Sequence, residues 1–257
     1  MNRTQLLSLL DEVRAGSLSP ADAVAKLAQL PNAQAAADAV VIDHHRELRT
    51  GIPEIVFGAS KTAEQIAIAL RELAKEGRGI ATRVDPAKAA AVRALLPDAE
   101  YHEIPRLMSL GTQPSRPACA PISVVCAGTS DLGAAEEAAI VAEFLGATVT
   151  RIADVGVAGL HRLLARLDDI RKTEVVIAVA GMEAALPSVL GGLVDRPMIA
   201  VPTSVGYGVS IDGLVALGAL LAACAPGITV VNIDNGVGAA VAAVKIARLA
   251  VRQGVNP

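Results

Sequence analysis

The stretch "VVCAGTSDLGAAEEA", residues 124–138, runs from β-branched residues through Gly128 to Thr129, Ser130 and Asp131, and then into a helical pattern. Small residues let a backbone approach a ligand, and the first N–H groups of the following helix, with its dipole, suit a phosphate or carboxylate. The plainer reading is that Ser130 or Asp131 only caps the helix beginning at Leu132. "PTSVGYG", residues 202–208, offers Ser204, Gly206, Tyr207 and Gly208 with the same two readings. Two such turns on one sheet edge favour a nucleotide-sized anionic ligand.

Glu183 follows a strongly apolar run and precedes "AALPSVL", the lone carboxylate of a segment that reads as buried. In such surroundings an unpaired carboxylate suits proton transfer near neutral pH; otherwise it is a first-turn helix acid. Asp154, in "DVGVAG", is a second strand-end acid, and Asp234 and Asn235 follow the last strand-like run. Cys224 closes "VALGALLAAC" before Pro226. A buried cysteine there packs as a small hydrophobe, and a helix end leading into a strand lies at the opposite sheet edge from ligand turns. A neighbouring subunit, or an unusual path of residues 203–213, is needed to bring it to them. "DHHRELRTGIPEIVFGASKT" gathers Arg46, Arg49 and Lys61, either an anion clamp or a solvated basic turn; its "FGASKT" lacks full phosphate-loop glycine spacing. His44 and His45 lack metal-pair spacing and His102 and His161 are isolated, so no metal site is expected.

These residues need a frame. Residues 1–40 predict two short amphipathic helices, with Ser19 and Pro20 as cap and first-turn residue of the second. From Ile52 strand-like "EIVFG", "GIATRV" and "EYHEI" alternate with helical segments, predicting a small α/β domain over 1–110. Residues 108–121, with three prolines, read as a linker. Beyond it, strand-like runs at 122–127, 148–154, 174–180, 197–202 and 228–233, each followed by a helical pattern, predict a three-layer α/β/α domain over 120–257 with a parallel sheet.

Composition narrows the function classes. The 257-residue chain is 53% hydrophobic but 2% aromatic, so its core is built from Ala, Val, Leu and Ile. A net charge of −3 without a basic stripe argues against nucleic acid. Residues 213–233 are long enough to span a bilayer, but Pro226 and Gly227 divide them into a helix-like and a strand-like part, arguing against a membrane. Three irregularly spaced cysteines, with no secretory pattern at the start, predict a reducing cytoplasm.

Residues 122–250 resemble the PurE fold of the carboxylated aminoimidazole ribonucleotide enzymes, through "AGTSD", "GMEAALPSVLGGL", "RPMIAVPTS" and "IDGLVALGALLAACAPGITVVNIDNG". Where PurE carries its proton-shuttling histidine this chain has "DVGVAG", which argues against a simple mutase. From Asp43 to Arg248 the chain is similar to the LarB family, through "DHHRELRTGIPEIVFGASKT", "TSDLGAAEEA", "DVGVAGLHRL", "GMEAALPSV", "PTSVGYG" and "NIDNG".

That resemblance implies carboxylation of the pyridinium ring of nicotinic acid adenine dinucleotide by CO2 or bicarbonate, with cleavage of its phosphoanhydride. The products are pyridinium-3,5-biscarboxylic acid mononucleotide, the first intermediate of the nickel-pincer cofactor, and AMP. It implies a cysteine nucleophile at Cys224, which fits the chemistry's need for some covalent nucleophile, because an electron-poor ring must first accept one before it can attack CO2. Glu183 then leads for moving the ring proton, with Asp154 second. Thr129, Ser130 and Asp131 hold ribose or phosphate, Ser204 to Gly208 contact ribose, phosphate or the ring carboxylate, and Arg46, Arg49 and Lys61 neutralise the pyrophosphate. No cofactor is expected to be tightly bound, and nickel belongs to a later enzyme; a magnesium ion with the substrate pyrophosphate is compatible with the chemistry. PurE-like domains imply a homo-octamer. The competing expectations are a PurE-like carboxylase or mutase of aminoimidazole ribonucleotide, and a non-catalytic pyridine-nucleotide sensor.

Overall fold

A computed structural model describes residues 3–29, 40–112 and 119–252. The chain divides into two compact units, residues 1–112 and 113–257.

The first unit contains α1 (Arg3–Arg14), α2 (Pro20–Gln29), α3 (Arg46–Thr50), β1 (Val56–Phe57), α4 (Ala63–Ala74), β2 (Arg78–Thr82), α5 (Pro86–Leu95), β3 (Glu100–His102) and β4 (Leu107–Gly111). Ser19 caps α2 as expected, its Oγ accepting from the Asp22 N–H at 3.1 Å. Thr62 and Gln65 close a reciprocal cap at the start of α4, and Asp85 caps α5 with Pro86 in its first turn. Ile66 and Leu70 of α4 are fully buried in a cluster with Ala81, Val84, Val92 and Met108.

The sheet order is β1-β2-β4-β3, with β1 and β2 parallel and β4 antiparallel to both neighbours. β4 corrects the expected linker, whose first residues lie in the middle of this sheet. "LMSLG" is short and carries Ser and Gly, so its propensity is weak, but Leu107 and Met108 are fully buried and pairing on both sides supplies the stability.

The second unit contains β5 (Ile122–Cys126), α6 (Leu132–Phe144), β6 (Val149–Ile152), α7 (Leu160–Leu164), α8 (Leu167–Arg171), β7 (Val175–Ala180), α9 (Ala185–Gly191), β8 (Met198–Pro202), α10 (Leu214–Leu221), β9 (Ile228–Val230) and α11 (Gly236–Arg252). All five strands are parallel, in the order β6-β5-β7-β8-β9. β5, β7 and β8 are buried at every position, which is why they read as unbroken apolar runs; the edge strands β6 and β9 are only partly covered. Small residues make the helix layer thin: Ala135, Ala138, Ala139 and Ala142 of α6 are buried, as are Ala239, Ala240, Ala243 and Ala247 of the adjoining α11.

From β5 the chain passes to β6 on one side and then crosses to β7 on the other. The order therefore reverses between β5 and β7, opening a crevice beyond their carboxyl ends. Among the described residues, no helix is long and apolar enough to cross a membrane.

Candidate functional site

The turns at that crevice carry most of the residues singled out above. Thr129 and Ser130 are exposed on the turn after β5, followed directly by α6. Asp131, expected to face a ligand, is instead buried at 4% exposure. One carboxylate oxygen accepts from the Gly128 N–H at 2.9 Å and the other from the Thr203 Oγ at 2.7 Å. Burial pushes its carboxyl above the ordinary range, while the hydrogen bonds from Thr203, Gly128 and Gly181 pull it back. Asp131 thus ties the turns after β5, β7 and β8 together, and its contribution to a ligand is their placement.

Asp234, after β9, extends the lattice: its carboxylate accepts from the Ser204 N–H at 2.9 Å, and its own N–H donates to the Pro202 carbonyl at 2.9 Å. Ser204, Gly206, Tyr207 and Gly208 are all exposed beyond β8. The turn after β7 is pressed against them, with the Met182 N–H donating to the Val205 carbonyl at 2.8 Å. A side chain at Gly181 has no room there, since its Cβ would come within 2.4 Å of the Val205 carbonyl oxygen and 2.5 Å of Thr203 Oγ.

Glu183 lies between Met182 (φ 54°) and Ala184 (φ 49°), both left-handed, and is exposed. Its apolar neighbours in sequence do not enclose it: Ala184 and Leu186 are buried in the core while Glu183, in the turn after β7, is open to solvent. Asp154, also left-handed at φ 57°, contacts the Arg162 guanidinium across the turn after β6.

Cys224 does not join this group within one chain. It lies three residues beyond the end of α10, before β9, whose Ile228 pairs with Met198 at the start of β8. That is the amino edge of the sheet, about 17 Å from the carboxyl edge for a five-residue strand. The expected helix through Cys224 ends at Leu221, and the cysteine is exposed instead of packed. Cys119 and Cys126 are buried, and burial pushes both thiols upward, away from the reactive thiolate.

In the first unit the three expected cations are not one cluster. His44, beside α3, lies 3.1 Å from Glu76, just past the C-terminal end of α4, and Arg49 is held in a two-pronged pair with Asp43 at 2.8 and 3.1 Å. Lys61 precedes the other end of α4, and twelve helical residues span about 18 Å. Carbonyls of the "FGASKT" turn are taken up from α5: Lys88 Nζ donates to those of Gly58 and Ala59 at 3.0 and 2.9 Å. Among the described residues, no group of three or more His, Cys, Asp or Glu could hold a metal ion.

The second unit, residues 121–254, matches the AIR carboxylase family model, and residues 34–112 match that of the LarB/PurE-like N-terminal domain. The chain belongs to the LarB family. An uncharacterized protein of Methanocaldococcus jannaschii is 36% identical over 229 residues, 81% of this chain and 84% of that protein. The N5-carboxyaminoimidazole ribonucleotide mutase of the same organism is 36% identical over 133 residues, 50% of this chain and 79% of the mutase. In this LarB-family chain two residues of the crevice escaped sequence reasoning. Thr203 was hidden because its partner Asp131 is 72 positions away. Arg162 had a readable signal, as an arginine soon after a strand end.

Proposed function

We propose that the protein carboxylates the pyridinium ring of nicotinic acid adenine dinucleotide with CO2 or bicarbonate and cleaves its phosphoanhydride. The products are pyridinium-3,5-biscarboxylic acid mononucleotide, a precursor for nickel-pincer cofactor synthesis, and AMP. The observation carrying this reading is the joining of a LarB/PurE-like N-terminal domain to an AIR carboxylase domain in one chain.

The Cys224 thiolate adds at ring C4, and the ring electrons moving onto nitrogen turn the cation into an enamine. C5 attacks the carbon of CO2, forming the new C–C bond and leaving an iminium at nitrogen. Glu183 takes the C5 proton, and the released electron pair restores the enamine. The nitrogen lone pair then expels the thiolate from C4 and the aromatic cation returns, with C5–H replaced by carboxylate and no net redox change. Water cleaves the anhydride. The exposed turns after β5 and β8 hold ribose and phosphate, and Asp154 is the second candidate for proton transfer. A magnesium ion, where present, travels with the substrate pyrophosphate.

Cys224 being the exposed thiol supports its part. Its position at the amino edge favours a second copy of the chain, over a rearranged 203–213 segment, as what brings it to Glu183, so the proposed active form is a homo-oligomer, with an octamer as the expected size. An apolar surface around α10 supports assembly: Ile211, Leu214, Val215 and Leu221 are exposed in the single chain. Three unpaired cysteines suit the cytoplasm.

Incubation with the dinucleotide and labelled bicarbonate, read by mass spectrometry, tests the proposal. Wild type yields AMP and a mononucleotide heavier by one carboxylate; Cys224→Ala yields no carboxylated product. Retained carboxylation by the alanine variant refutes the nucleophile. Conversion of N5-carboxyaminoimidazole ribonucleotide instead favours the mutase activity named for the second relative, and carboxylation of aminoimidazole ribonucleotide a PurE-like carboxylase.

A further inference from the structure

The crevice is acidic. Its turns carry Asp131, Asp154, Glu183, Asp212 and Asp234, yet the ligand proposed for it is a phosphate ester. Among the described residues of the second unit, the turn and first helical turn after each of the five strands contain a single arginine or lysine, Arg162. Its guanidinium contacts the Asp154 carboxylate, and both side chains remain partly exposed, at 40% and 52%.

The guanidinium lies directly over Gly159: a Cβ there would be 2.6 Å from Arg162 Nε and 3.0 Å from Nη2, so a side chain at this position would displace the arginine. The same turn is fastened to the one that precedes α6. The Val155 N–H donates to the Cys126 carbonyl at 3.2 Å, and a Cβ at Gly156 would meet the Ala127 carbonyl at 3.0 Å. Asp154, which holds the Arg162 guanidinium, therefore lies in a turn fastened to the residues just before Gly128.

We infer that Arg162 is the phosphate-reading residue of this crevice, exchanging Asp154 for the 5′-phosphoryl group of the mononucleotide half when substrate binds. A planar guanidinium meets phosphate through two parallel N–H···O bonds, and the α6 N-terminus faces the same group. Asp154 supplies the resting partner. It keeps the arginine in place in the empty crevice, and it sets a competition between its own carboxylate and the anionic phosphoryl group that a neutral ribose does not enter. This assignment deepens the reading given under Proposed function, but it concerns the phosphate alone.

Calorimetric titration of the full-length protein with ribose 5-phosphate and with ribose isolates that contribution. Wild type binds the phosphate ester more tightly than ribose. Arg162→Met loses roughly 10- to 100-fold in ribose 5-phosphate affinity, the range of a charge-assisted pair, and no ribose affinity. Arg162→Lys, which keeps the charge without the fork, falls between the two. Asp154→Asn binds ribose 5-phosphate several-fold more tightly, because the resting partner has lost its charge; unchanged or weaker binding overturns the exchange. Wild-type affinity in Arg162→Met, or equal binding of the two sugars by wild type, overturns the assignment.

The labelled-bicarbonate assay separates this outcome from the proposed reaction. With carboxylation present, Arg162→Met raises KM for the dinucleotide at least about 10-fold while kcat changes less than about 3-fold, as lost ground-state binding does. Unchanged KM refutes Arg162 and leaves the reaction standing. Loss of ribose 5-phosphate binding in Arg162→Met, in a protein that never incorporates label, refutes the reaction and leaves Arg162 standing.

Discussion

Asp131 shows how a residue can serve a site from beneath it. Its two oxygens are taken by Gly128 and Thr203, so replacement by Asn leaves an amide N–H2 facing one of those donors, at a cost of about 1–3 kcal/mol. That cost depends on pH. Burial raises the folded-state value above 3.8, so the folded chain holds this proton to higher pH than the unfolded chain does. The favourable contribution is complete below pH 3.8 and is lost as pH rises through the folded value. Asn has no such titration. The stability deficit of Asp131→Asn, from urea midpoints, is accordingly larger at pH 4 than at pH 7; a deficit that grows with pH would mean the hydrogen bonds to the ionised form outweigh burial. The sequence disclosed the polar character of "GTSD" but not that Thr129 and Ser130 face out while Asp131 faces in. That division is set by Thr203, on another strand's turn. Glu183 is the converse, placed among apolar neighbours and exposed because two left-handed residues swing it outward.

Among the elements, buried parallel strands were the easiest to read, because β5, β7 and β8 are covered on both faces and must be apolar throughout. β4 was hidden because its stability comes from partners on both sides and not from its own five residues. Backbone strain left no sequence signal either. Asp154, Met182, Ala184, Ile211, Asp212 and Asp234, all left-handed, sit in the turns beyond the strand ends, each at a cost of about 1–2 kcal/mol that neighbouring contacts must offset. Gly181 is where those contacts are tightest. Gly181→Ala forces the turns after β7 and β8 apart, with an expected loss of about 1–3 kcal/mol. For a chain of this size that lowers Tm by roughly 2–12 °C. Because the Met182–Val205 bond is the strut behind Glu183, the carboxylation rate falls along with Tm. A variant with wild-type Tm and rate would show that the two turns part freely.

For the whole molecule, the separation of Cys224 from Glu183 by the width of the sheet ties the proposed reaction to the question of how many copies of the chain build one site. The helix–strand order already predicted that separation, because a parallel sheet with helical crossovers sends every helix end to the amino edge. The sequence could not show the exposed apolar flank of α10, where Leu214, Val215 and Leu221 leave the core to Ala216 and Leu220. If each proposed site takes Glu183 from one copy and Cys224 from another, two inactive variants complement each other. In a random mixture of equal amounts of Cys224→Ala and Glu183→Gln subunits, a site is intact when its glutamate comes from the first variant and its cysteine from the second. Each condition holds half the time, so about one quarter of wild-type carboxylation returns on mixing. Activity should appear only after subunits are exchanged, by dissociation and reassembly or by co-expression, and should grow with the fraction of mixed oligomers seen by native mass spectrometry. Mixed oligomers without activity would place both residues in one chain's site and require the 203–213 segment to carry the crevice to Cys224.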